Sequence, residues 1–73
     1  MINRFRIHVY LSNDREGTFS HDIAVGRTLA EVHSNLDKYL SIPNRYRIPT
    51  SGRRLFLYDA LASLTSEIFK EAA

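Results

Sequence analysis

A chain of 73 residues makes one domain, 1–73, with room for one small core. Its 44% hydrophobic and 25% charged residues describe a folded globular domain, too short for a doubly wound nucleotide-binding sheet, a barrel or a two-lobed cleft. The net charge is only +2, and the absence of cysteine excludes disulfides, thiolate zinc sites and thiol nucleophiles while favouring a reducing cytoplasm.

Phe5, Ile7, Val9 and Leu11 alternate with Arg4, Arg6, His8 and Tyr10, the period-2 pattern of a half-buried strand. No long apolar run follows the N-terminus, so neither a leader nor a membrane span is expected. The polar stretch Ser12–Gly17 reads as a hairpin loop. Phe19, His21, Ile23 and Val25 then alternate with Thr18, Ser20, Asp22 and Ala24, which predicts a second strand antiparallel to the first. This phase puts His8 on the polar face and His21 on the apolar one. His8 and His33 then read as surface groups.

Gly26-Arg27 breaks the alternation. Thr28-Leu29-Ala30-Glu31 has the spacing of a capping box, and Leu29, Val32, Leu36 and Leu40 repeat at helical intervals. A helix over 28–40 follows, ended at Ile42-Pro43 because the residue before proline avoids the α region. Val32 and Leu36 are expected to pack on Ile7, Val9 and Ile23. Residues 43–52 read as an irregular connection with a short extended piece at Arg45–Ile48. Arg53–Tyr58 reads as a third strand, apolar on both faces and therefore central. Asp59 is placed to cap a short last helix with Leu61, Leu64 and Ile68 on one stripe. The fold class is α+β: a small two-layer domain, a β-hairpin plus third strand with a helix packed across one face, in the order β-β-α-β, with the short C-terminal helix at the end.

Catalytic patterns are missing. The sequence has no G-x-S-x-G elbow, no phosphate-binding glycine loop and only three histidines. Zinc needs three or four prepared ligands, and His33 with Asp37 supplies two. Asp14 and Glu16 flank a solvated turn, where nothing raises a carboxylate pKa. The chain is therefore expected to be no enzyme, with no cofactor and no metal.

Charge is distributed unevenly. Residues 43–58 hold Arg45, Arg47, Arg53 and Arg54 and no acid, and eight of the ten basic residues are arginine. The planar guanidinium fork pairs bidentately with carboxylate or phosphate and stacks on rings, which suits a contact surface. The expected partner-binding residues are Arg4, Arg6, His8, Tyr10, Arg45, Tyr46, Arg47, Arg53 and Arg54. Arg and Tyr are enriched in protein interface hot spots. Alternatively, cations interleaved with aromatics fit a small basic nucleic-acid-binding protein.

A hairpin, a helix and a further strand over residues 5–58, with Gly52-Arg53-Arg54-Leu55, resemble the β-grasp family, although the chain ends Lys70-Glu71-Ala72-Ala73 and lacks a conjugating Gly-Gly tail. That resemblance implies an adaptor module. Phe5–Leu11, Thr28–Leu40 and Arg53–Tyr58 also resemble small phage-encoded RNA-polymerase-binding transcription regulators of the Xanthomonas phage type. This second resemblance implies a non-enzymatic protein-binding inhibitor of host transcription initiation in the bacterial cytoplasm. Its partner would be the N-terminal region of the largest RNA polymerase subunit. Interference with sigma-factor engagement and antitermination would follow.

Overall fold

The computed structural model describes residues 3–13, 17–48 and 53–70. Four antiparallel strands form one sheet in the order β2-β1-β3-β4, with a single helix packed across one face. They are β1 (Phe5–Asn13), β2 (Gly17–Gly26), β3 (Arg54–Asp59) and β4 (Leu64–Lys70), and the helix is α1 (Leu29–Leu40). The small α+β domain, the hairpin, the helix and the central third strand match the sequence expectation. Residues 14–16, with the Asp14 and Glu16 turn, lie outside the described residues, as do Pro49–Gly52 and the side chains of Leu11 and Phe19.

The helix starts where the capping pattern places it. Thr28 is extended, and its Oγ1 accepts a hydrogen bond from the Glu31 N–H at 3.1 Å. At the other end Ser41 Oγ donates to the Lys38 carbonyl, and the Ser41 and Ile42 N–H groups close the last turn. Gly26 lets β2 run tightly into this helix. A Cβ there would stand 2.7 Å from the Val32 backbone nitrogen and 3.0 Å from its Cα, so any side chain would push the strand off the first turn.

The inner face of the sheet and one stripe of the helix make the core. Phe5, Ile7, Val9, Ile23, Ala24, Val32, Leu36 and Leu55 are buried in one cluster. Tyr39, Leu40, Ile48, Leu57 and Ile68 pack partly against it.

One departure from the sequence reading comes from a β-bulge in the edge strand β2. Between Ile7 and His8 the pairing with β2 slips by one residue: Ile7 faces Ala24, yet His8 faces Asp22. Ile23 is the extra residue. From there the faces of β2 exchange, so Ala24 is buried and Val25 is exposed, contrary to strict alternation. A second slip separates Leu55, which faces Phe69, from Phe56, which faces Glu67.

The C-terminal segment is a strand rather than the expected short helix. Asp59 does cap, but it caps a turn: Oδ1 accepts from the Leu61 and Ala62 N–H groups at 3.0 and 3.3 Å. Ser63 then takes a left-handed conformation, φ 53°, and reverses the chain. Thr65, Ile68 and Phe69 have strand-forming side chains, and the open edge of β3 supplies the hydrogen bonds. Pairing with that edge outweighs a helical stripe of only three residues. Residues 44–46 form a turn of 3₁₀ helix, so Arg45–Ile48 is not the extended piece its composition suggested.

Leu36 is 4% exposed and faces the sheet. Leu36→Ala should cost about 2–5 kcal/mol, against a total of about 5 kcal/mol for so small a domain. Gly26→Ala should also destabilise, by about 1–3 kcal/mol, because backbone must move. Urea denaturation measures both, and wild-type midpoints would refute the packing described.

Candidate functional site

The sheet face opposite α1 carries no secondary structure among the described residues. Its floor comes from alternate residues of the two central strands. On β1 these are Arg6, His8 and Tyr10, and on β3 they are Arg54, Phe56 and Tyr58. Arg6 faces Tyr58 and His8 faces Phe56 in the ladder. The flanking strands add Asp22 and Val25 from β2, and Thr65, Glu67 and Lys70 from β4.

The rings form a contiguous cluster. Tyr10 meets His8 and Phe56 edge-to-face, with centroids 4.9 and 5.0 Å apart. Tyr58 lies nearly parallel to His8 at 6.4 Å. Aromatic pairs in this geometry contribute about 0.5–1.5 kcal/mol beyond their buried area. Tyr10 remains 39% exposed, and Phe56 and Tyr58 are half-buried.

His8 is 6% exposed, which corrects its reading as a surface group. The face is polar by composition, yet neighbouring rings cover the imidazole. Its Nδ1 stands 3.5 Å from Asp22 Oδ1, and its Nε2 is buried without a hydrogen-bond partner among the described residues.

Charges surround the rings. Asp22 also accepts from Arg6 at 3.2 Å, and Glu67 pairs with Arg54 at 3.4 Å. Arg53 and Lys70 have no ion-pair partner among the described residues. Together with Tyr10, Arg54 and Phe56 they line an open hollow of about 420 Å³. Two ring walls and three cations therefore meet at one end of the face.

The structure thus divides the nine residues expected to bind a partner. Arg6, His8, Tyr10 and Arg54 share the open face, and Arg53 stands at its rim. Arg45, Tyr46 and Arg47 belong to the helix layer. The Arg45 guanidinium lies over the Tyr46 ring at 4.8 Å, Arg47 lies over Tyr39 at 5.7 Å, and Arg47 also donates to Asn44. Tyr39 links this turn to the helix, accepting from the Ile48 N–H at 2.9 Å. Tyr46 is nevertheless 69% exposed.

Arg4 has a structural task. Its Nε and Nη2 both donate to Asp59 at 2.9 Å, joining the start of β1 to the β3–β4 turn. Sequence reasoning missed Phe56 and Tyr58 as site residues, although their alternation with Leu55 and Leu57 was visible. It missed Lys70 because that segment read as helix.

No protein-family model matches the chain, and no match to it was found among the curated proteins or the solved structures. Among the described residues no helix is long and apolar enough to cross a membrane.

The Arg4 hydrogen bonds, aided by the Ala62 and Leu61 N–H groups, lower the Asp59 carboxyl from 3.8 to about 2. A lowered carboxyl pKa stabilises the fold while the group is ionised. That contribution is complete above about pH 4 and is lost as the pH falls through about 2. Asp59→Asn should therefore lower the urea midpoint at neutral pH and flatten its decline between about pH 4 and about pH 2. A variant with the wild-type acid profile would show that this pair does not hold the turn.

Proposed function

We propose that this chain is a non-enzymatic binding module and that the open sheet face is its recognition surface. The carrying observation is the cluster of Tyr10, Phe56 and Tyr58 around His8 on the central strands, bordered by Arg6, Arg53, Arg54 and Lys70. Rings supply rigid contact area at little entropic cost, and guanidinium groups supply directional hydrogen bonds. Burial of the His8 imidazole under the rings favours binding over proton-transfer chemistry, because a substrate on the face does not reach it.

The charge left over at the hollow calls for an anionic partner. The resemblance to phage transcription regulators makes bacterial RNA polymerase the candidate assembly, and the cytoplasm the compartment in which it would be met.

The test is capture from bacterial lysate with the immobilised chain, with and without nuclease treatment. Wild type is compared with Phe56→Leu and with Arg53→Gln/Lys70→Gln. Leucine preserves most of the apolar cover of Phe56 while removing the ring, and the two cations are exposed, so all variants should stay folded. Recovery of polymerase subunits by wild type, reduced at least about tenfold in the variants, a change of about 1.4 kcal/mol, is the expected result. Equal recovery by folded variants would remove the open face from recognition.

A further inference from the structure

We propose that the open face binds single-stranded nucleic acid, with bases on Tyr10, Phe56 and Tyr58 and a phosphate in the hollow bordered by Arg53, Arg54 and Lys70. This inference rests on the open face being the recognition surface and specifies the class of its occupant.

The first argument is spacing. Phe56 and Tyr58 are two residues apart on one strand, which places their Cα atoms about 6.7 Å apart on the same face. Tyr10 stands beside Phe56 across the ladder, with ring centroids 5.0 Å apart. An extended single strand repeats its bases at a comparable interval. Successive bases could therefore meet successive rings as the strand crosses the central pair. Base–aromatic stacking contributes about 1–3 kcal/mol per base and tolerates any sequence.

The second argument is charge complementarity. Asp22 and Glu67 each compensate a neighbouring arginine, Arg6 and Arg54 respectively. Arg53 and Lys70, by contrast, face the hollow without an ion-pair partner among the described residues. Their positive charge thus concentrates beside the Tyr10 and Phe56 rings. A nucleotide carries both complements in one unit: a planar base for the rings and an anionic phosphate for the cations. A peptide supplies both only by combining separate acidic and aromatic or apolar residues.

The third argument concerns the duplex. The major groove admits a helix or a two-stranded ribbon. A four-stranded sheet is too wide for it. The helix presents exposed Glu31 and Asp37, which repel phosphates. Duplex binding is therefore expected to be weaker than binding of either strand.

The experiment is fluorescence anisotropy with labelled oligonucleotides of about ten nucleotides, a length within the range of single-stranded binding sites. Oligo-dT, oligo-rU and a mixed-sequence strand are titrated singly, and the mixed strand is also titrated as a duplex. The single strands should bind, and the duplex at least about tenfold more weakly. The salt dependence should follow a log–log slope of about −0.7, as for one phosphate neutralised on a single strand.

Tyr10→Leu and Phe56→Leu, checked for folding by thermal melting, should each weaken single-strand binding at least about fivefold, the lower end of one lost stack. Arg53→Gln/Lys70→Gln should flatten the salt slope. Absence of single-strand binding would overturn the proposal, as would binding that ignores the ring variants or favours duplex. If the oligonucleotides fail while nuclease-resistant polymerase capture still depends on Phe56, the face remains the recognition surface and its occupant is protein.

Discussion

A four-stranded sheet with a single twelve-residue helix is only partly covered. The axes of the outer strands lie about 14 Å apart, and a helix with its side chains is about 10 Å across. α1 therefore packs on β2 and β1 and leaves the remainder to be covered by side chains. The inner core forms where the cover exists: Ile7, Val9, Val32 and Leu55 are fully buried between helix and sheet. Among the described residues no element reaches the opposite face, so the strands there shield themselves. Tyr10, Phe56 and Tyr58 accomplish this by each packing against His8, with Tyr10 and Phe56 also meeting each other.

The cover and the proposed recognition surface are consequently the same atoms. A solvent-facing sheet ordinarily alternates toward polar residues. Here its two central strands carry aromatic side chains, each with part of the ring in water. The edge-to-face contacts of Tyr10 with His8 and Phe56, and the stacking of Tyr58 on His8, hold the rings before any partner arrives, which would lower the ordering cost of binding. The arrangement also limits substitution. Removing a ring exposes His8, whose Nε2 is buried without a hydrogen bond among the described residues, and it enlarges a gap that the helix does not reach. Leucine is the informative replacement because it retains apolar volume and loses only the flat face.

Local signals carried most of the framework. Thr28 with Glu31, the helical spacing of Val32 and Leu36, and the alternation of residues 5–10 each correspond to one interaction in the structure. The signals failed where a tertiary partner decided between two local solutions. Asp59 caps by the same chemistry in a helix or in a turn, and only the unpaired edge of β3 makes β4 the outcome. His8 has the composition of a surface position, yet its burial depends on rings from a strand nearly fifty residues away. The site was legible in half: β1 displayed Arg6, His8 and Tyr10 by alternation, whereas the contribution of β4 required knowing that β4 exists. Arg45 and Arg47 shared the arginine bias of Arg53 and Arg54, but composition says nothing of which layer a loop joins.

The two edge-strand bulges connect these observations. Without the extra residue in β2, Ile23 would stand opposite His8 on the open face, and Asp22 would point toward the core opposite Val9. With it, Asp22 faces His8 and reaches Arg6, and Ile23 enters the core. Without the extra residue in β4, Phe69 would face Arg54 on the open side. With it, Phe69 moves to the inner side opposite Leu55, and Lys70 takes the place opposite Arg54. A one-residue slip exchanges the faces of everything beyond it: with the bulges Asp22 and Lys70 share the open face while Ile23 and Phe69 stand on the inner side, and the β2 bulge also leaves Val25 exposed. The β4 bulge brings Lys70 to the hollow beside Tyr10 and Phe56. Bulges also twist and interrupt an edge that would otherwise pair with another chain. The same irregularity that protects each exposed edge thereby sets the charge pattern of the face between them.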